Sequence, residues 1–415
     1  MTTHLHENFD EIYDLAFAFK ESKLWRKLWD TQLFAVRHSD GTIGYCCVMG
    51  RSGEFFALAV YPGEEGLASY RRLGSDEFAF DIFGECERTT AQNCVIVSFE
   101  NKDEVDEVSM EEIRDYCQRS GKALRGAHAF PLFQRMRPGQ YPWYIVDEAD
   151  VTYIRETLQA ALYVAQQLKG RSPEKLGFTE GVPFERSIPI LTPTDGGYRW
   201  SLMNLPKPRK TVYPVCELGN DLLLARIKKA KKNRHTWAIR IFPSLEAVKP
   251  DGCEDDLRVA PFFPYLMLIL DEDTEMIVGS GIEHSPGEYA IDFIKTLSDA
   301  VEENGQPRVI HVMDERTEQY LGDLAAKAGW RLVRQEENEL LMEVTEEFAD
   351  HFADDDLGIS EEQLEIIDAF LRDPEGLRLL PDEMLGSMLE LLDAGVLPDD
   401  AEEILVSEIM RRGMR

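Results

Sequence analysis

Long apolar runs are missing from this 415-residue sequence. The most apolar stretch, Phe262 to Leu270, lies between Pro261 and Asp271. It falls well short of the roughly 18 residues that a membrane-spanning helix requires and suits a buried strand, so no membrane partner is expected. Cysteine is sparse and unpatterned. Cys46, Cys47, Cys86, Cys94, Cys117, Cys216 and Cys253 are odd in number and include no Cys-x-x-Cys pair. That argues against a disulfide framework, a zinc ribbon and a redox motif, and leaves free thiols acting as small core residues. There is no Gly-rich phosphate loop, no nucleophile elbow and no His-Glu-x-x-His. The opening residues have neither the basic start nor the apolar centre of a signal peptide, so a cytoplasmic protein is expected.

Positive charge is also scarce. Lys and Arg number 45 against 77 Asp and Glu, a net charge of −32. A field of that sign repels phosphate backbones and anionic lipid, and no specific nucleic-acid partner is expected. The charge is unevenly placed, however. Between Lys207 and Arg240 stand ten basic residues against Glu217 and Asp221, whereas residues 351–415 carry 18 acids, five arginines and no lysine. The two segments are complementary. Docking of the acidic tail on the basic segment, within one molecule or across a homodimer, is the expectation.

What is present is α/β patterning. In the first half three strand-like runs, Gln32 to Arg37, Ile43 to Met49 and Phe55 to Tyr61, precede a helix. Cys94 to Phe99 then reads as a strand, Ser109 to Arg119 as a helix and Ala123 to Arg125 as an extended piece. The second half has strand-like runs at Thr236 to Phe242, Tyr265 to Leu270 and Met276 to Ile282. A helix, the strand Arg308 to Met313, a second helix and the strand Arg331 to Arg334 follow. In both halves the last helix ends at a glycine, Gly121 or Gly329. A three-strand meander followed by α-β-α-β is the order of ribonuclease H-like domains. The expected fold is therefore α/β (α+β): two diverged ribonuclease H-like β-β-β-α-β-α-β domains in tandem, plus a small acidic helical C-terminal tail. The expected boundaries are residues 1–170, a proline-rich connector at 171–214, a second domain at 215–350 and the tail at 351–415. The stretch from Ala127 to Tyr144, with Pro131, Pro138 and Pro142, reads as a loop.

Ribonuclease H-like nucleases hold two divalent metals with acids on the first strand, at the end of the fourth and on a following helix. Resemblance to them implies a candidate set of Asp271, Asp273 and Asp314 with Mg2+ or Mn2+ as cofactor. The set is incomplete, because the first strand of the second half, Trp237 to Ile241, carries Arg240 and no acid. His284 and His311, at strand ends, are the other candidate ligands. Two patches offer binding chemistry. One is Lys228, Lys229, Lys231 and Lys232 at a helix end. The other is Arg135, Arg137 and Trp143, residue types enriched at interface hot spots.

The residues Leu24-Trp25 to Tyr61, with Ile43-Gly44-Tyr45-Cys46-Cys47-Val48-Met49-Gly50, together with Arg135, Arg137-Pro138-Gly139 and Pro142-Trp143, carry a resemblance. They are similar to an uncharacterised bacterial family with two consecutive domains of unknown function, which would span about residues 1–345 here. The family implies a domain split and no activity. Without a complete catalytic set, the expected function is a non-catalytic interaction or scaffold protein with a protein partner and no cofactor. The alternative is a metal-dependent nuclease or other phosphoryl-transfer enzyme using the second-half carboxylates.

Overall fold

The first sheet is built around central strands that are apolar on both faces, with an exposed last strand at one edge. In the computed structural model its strands are β1 (Phe34–Arg37), β2 (Ile43–Met49), β3 (Ala57–Pro62), β4 (Cys94–Glu100), β5 (Phe130–Met136), β6 (Trp143–Tyr144), β7 (Ser187–Thr194) and β8 (Gly197–Asn204). The structure describes residues 9–75, 77–78, 81–179, 187–216, 221–250, 252–335 and 337–355, with the pairs 404–405 and 411–412. Alternate residues Phe34, Val36, Cys46, Val48, Leu58, Val60, Val95 and Val97 face one core. It is filled by Ile12, Tyr13, Ala16 and Phe19 of α1 (Asp10–Ser22) and by Ile154, Leu158, Ala161 and Val164 of α5 (Glu148–Gln167). The intervening Ala35, Tyr45, Cys47, Ala59 and Ile96 face a second core with Leu67 of α2 (Gly63–Arg72). Two-sided burial explains why these strands read as nearly continuous apolar runs. The remaining helices linking this sheet are α3 (Ile82–Thr90) and α4 (Glu107–Ser120).

The second sheet contains β9 (Thr236–Pro243), β10 (Tyr265–Asp271), β11 (Met276–Ile282), β12 (Val309–Val312) and β13 (Arg331–Arg334). Trp237, Ile239, Ile241, Met267, Ile269 and Ile310 pack against α6 (Asp221–Lys229), α7 (Tyr289–Asn304) and α8 (Glu315–Ala328). At β11, a Cβ on Gly281 would lie 2.7 Å from Thr296 Oγ1 of α7, so glycine permits the close approach. Residues 1–341 form one compact unit and residues 342–415 a second. The last described helix is α9 (Glu339–Asp355). The expected docking of the acidic tail falls almost wholly outside the described residues.

The sheets do not share one topology. The first runs β6-β5-β4-β3-β2-β1-β7-β8 and the second β11-β10-β9-β12-β13. In the second, α7 carries the chain across the sheet so that β12 lies parallel to β9. In the first, β4 returns antiparallel beside β3, and the place next to β1 is taken by β7 in a parallel pair. The expected matching strand order is therefore corrected. What stands is a mixed α/β architecture with an eight-stranded and a five-stranded sheet. The segment read as a connector supplies β7 and β8, and the stretch read as a loop supplies β5 and β6. Pro131 fits within β5 because β6 pairs only with Gln134 and Arg135, leaving the proline no outer neighbour. Gly121 and Gly329 do end α4 and α8, at φ 70° and 80°. No helix among the described residues is long and apolar enough to cross a membrane, and all seven cysteines are free.

Candidate functional site

An arginine in the middle of an apolar strand is the most unusual residue of β9. Arg240 is 2% exposed and lies on the face of β9 opposite α6, α7 and α8, the face on which Phe242 of the same strand meets Phe83 of α3 with ring centroids 4.9 Å apart. Its Nη2 donates to Oδ2 of Asp81, which also caps α3 by accepting from the Gly84 N–H at 2.9 Å. The guanidinium lies 5.1 Å from the Phe83 ring centroid. A charge can occupy such a site only when paired. A second buried arginine stands beside it. Arg316, in the first turn of α8, donates to Glu87 of α3 (2.6 Å), Tyr265 (2.8 Å) and Tyr289 (3.2 Å). Arg72 then reaches Glu77, Glu87 and the Tyr213 hydroxyl. Charged groups from both sheets thus meet at the ends of β9 and β12.

Asp314 lies in this cluster. It follows β12 and caps α8, accepting from the Thr317 N–H (2.7 Å) and Oγ1–H (2.9 Å), while Thr317 Oγ1 accepts from the Ile241 N–H (2.9 Å). Burial raises its pKa against the opposing pull of these hydrogen bonds and of Arg240. Asp271 and Asp273 are elsewhere. Asp271 pairs with Trp237 at the start of β9, whereas Asp314 is joined through the Thr317 hydroxyl to Ile241. The two positions on β9 are about 13 Å apart along the strand at roughly 3.3 Å per residue. The three carboxylates proposed as one set do not converge.

Asp271 and Asp273 instead join His235. One ligand atom from each of the three lies within 4.8 Å of the others. His235 Nδ1 donates to Asp271 Oδ2 at 2.7 Å, and the Trp237 indole donates to the same oxygen at 3.3 Å. Asp271 Oδ1 accepts from the Asp273 N–H and Asp273 Oδ2 from the Thr236 N–H, at 3.0 and 2.7 Å. These bonds hold the hairpin turn closed, and the Asp271 partner raises the His235 pKa. His311 pairs with Glu272 at 2.9 Å and His284 with Asp292 at 3.4 Å, so neither joins the other as a ligand.

The loop expected to meet a partner meets this chain. Arg135 donates to the Cys94 carbonyl (3.0 Å) and Asn93 (2.7 Å) and pairs with Asp150 at 3.2 Å. Arg137 pairs with Asp147 at 2.5 Å and Asp150 at 3.2 Å. Trp143 Nε1 donates to the Leu257 carbonyl at 2.8 Å, and the Tyr141 N–H donates to the Pro261 carbonyl at 2.9 Å. Trp143 therefore fastens the first sheet to the loop between β9 and β10, whereas Arg135 and Arg137 are engaged within the first half. Lys228, Lys229, Lys231 and Lys232 are exposed, as their sequence position implies. Sequence reasoning missed Asp81, Glu87 and Arg316. The lone charge of Arg240 within Trp237 to Phe242 was the one available signal, since a charge in a buried strand demands a partner.

Two sheets fastened by buried ion pairs define a two-part α/β chain. Residues 9–186 match the family described as domain of unknown function (DUF7309), and residues 223–349 match domain of unknown function (DUF6930). The chain carries these two domains consecutively, as its resemblance implied. No curated protein matches it.

Proposed function

We propose that the chain is a non-catalytic interaction protein whose second half is a degenerate ribonuclease H-like domain closed off by the first. Support for the domain reading comes from the second sheet, where a three-strand meander is followed by β12 and β13, both parallel to β9. The observation that carries the functional reading is the Arg240–Asp81 pair. Resemblance implies an acid on the first strand, and β9 instead holds a guanidinium beside Asp314. A divalent cation there would be repelled by Arg240, and Asp314 has both oxygens engaged in capping α8. These residues do not fit a Mg2+ or Mn2+ pair. Buried, ion-paired surfaces of this kind serve to hold parts together, and a protein partner is the expected ligand of the assembled chain. Incubating the full chain with labelled single- and double-stranded oligonucleotides and Mg2+ or Mn2+ should give no cleavage above buffer. Cleavage that disappears in Asp314→Asn would overturn the reading.

A further inference from the structure

Beside the basic helix end, at the opposite end of β12 from Asp314, a cavity of about 380 Å³ is lined by Lys232, Arg234, Gln306, Pro307, Arg308 and Trp330 among others. Its size is in the range of small-molecule sites. Arg234 and Lys232 reach it from the loop before β9, and Arg308 from the residue before β12. Trp330 enters from the turn after α8, where Gly329 at φ 80° redirects the chain.

The loop is held in place. Asn233 Oδ1 accepts from the His235 N–H and its Nδ2 donates to the Asn304 carbonyl, both at 2.9 Å. The Gln306 N–H donates to the Lys231 carbonyl at 2.7 Å, and Gln306 Nε2 donates to the Ala230 carbonyl at 2.7 Å. These bonds keep Arg234 at φ 67°, a backbone conformation uncommon outside glycine.

Two observations point to an anion. Some cations of this half are paired with acids, namely Arg226 with Glu302, Lys210 with Glu315, Lys327 with Asp323 and Arg334 with Glu318. Among the described residues Lys232, Arg234 and Arg308 have no such partner, in a chain of net charge −32. Separately, Trp330 is 7% exposed and its indole N–H is buried with no acceptor among the described residues. A buried donor without an acceptor is uncommon in native structures and calls for an explanation. An anion's oxygen supplies one.

We propose that Lys232, Arg234, Arg308 and the Trp330 indole form a binding site for a small phosphorylated molecule. Guanidinium forks match phosphoryl oxygens, and the ammonium of Lys232 adds a third charge. The cavity leaves room for an organic group against Pro307 and Ala328. A small ligand suits this chain better than a nucleic acid, because the field of the whole molecule acts against a long polyanion.

Phenyl phosphate is the probe. In a 1H–15N spectrum of the full chain, one of six indole signals, identified by its loss in Trp330→Phe, should shift and saturate with a Kd of about 1 mM or tighter. The exposed pair Arg234→Ala/Arg308→Ala should weaken binding by about tenfold or more. Phenol should produce no shift. Calorimetry on the wild type and the double variant measures the same affinity without relying on the tryptophan variant. A Trp330 signal unmoved at about 10 mM probe, equal affinity in the double variant, or an equal response to phenol would each overturn the proposal.

Discussion

Arg240 and Asp81 lie 159 residues apart in the chain and form an ion pair whose side chains are 3% and 5% exposed. One belongs to the central strand of the second sheet, the other to the cap of a helix attached to the first. Removing one member leaves the other charged and sealed from water, which typically costs about 3–5 kcal/mol. Arg240→Met should therefore destabilise the chain by that amount. Asp81→Asn/Arg240→Met should recover most of it, because asparagine still caps α3 and no charge remains buried. Urea unfolding of the wild type, both single variants and the double variant checks this. Additive losses would mean that the pair is not coupled.

Asp314 acts through its oxygens rather than its charge. Asp314→Ala should lower stability by about 1 kcal/mol through loss of the α8 cap. Asp314→Asn keeps an acceptor and should cost less. Because burial raises the folded-state pKa, the folded chain binds a proton more readily there than the unfolded chain does. The stability from this group is full below its unfolded pKa and is lost as pH rises through the folded value. Asp314→Asn should remove that slope, as unfolding midpoints measured across the acid range would show.

His38 has the opposite sign. Its Nδ1–H donates to Glu156 Oε2 at 2.8 Å, while Nε2 is buried with no partner. Burial lowers its pKa despite the opposing effects of Glu156 and Asp40, because protonation would add an unsatisfied buried N–H. Stability from neutral His38 is complete above its unfolded pKa, about 6.5, and falls as pH drops below it. His38→Gln should flatten the stability profile between about pH 5 and 7.

The second half was the more legible in the sequence. Its strands alternate with helices whose starts and stops carry clear signals, from Asp314 as a cap to Gly329 as a stop, and α7 is long enough to force a crossover. The first half misled because element order does not fix strand partners. β4 could lie beside β1 or β3, and the choice depended on β7, which arrives from more than 80 residues later. β5 was hidden by Pro131 and its neighbouring prolines, which only an edge position tolerates. Arg240 was legible as an oddity, but Asp81, its partner, could not be found from local pattern. In the loop Arg135 to Trp143, which has the composition of an interface, Trp143 meets the Leu257 carbonyl of the same chain while both arginines pair with acids of α5 and its start.

If a domain-to-domain ion pair occupies the strand ends beside Asp314, no metal should bind there. Mn2+ titration of the full chain, followed by loss of the free-ion electron paramagnetic resonance signal, tests it most directly. Wild type and Asp314→Asn should give the same Mn2+ isotherm, with any weak uptake arising at other acids such as Asp271 and Asp273. A site with a Kd below about 1 mM that is present in the wild type and lost in Asp314→Asn would contradict it.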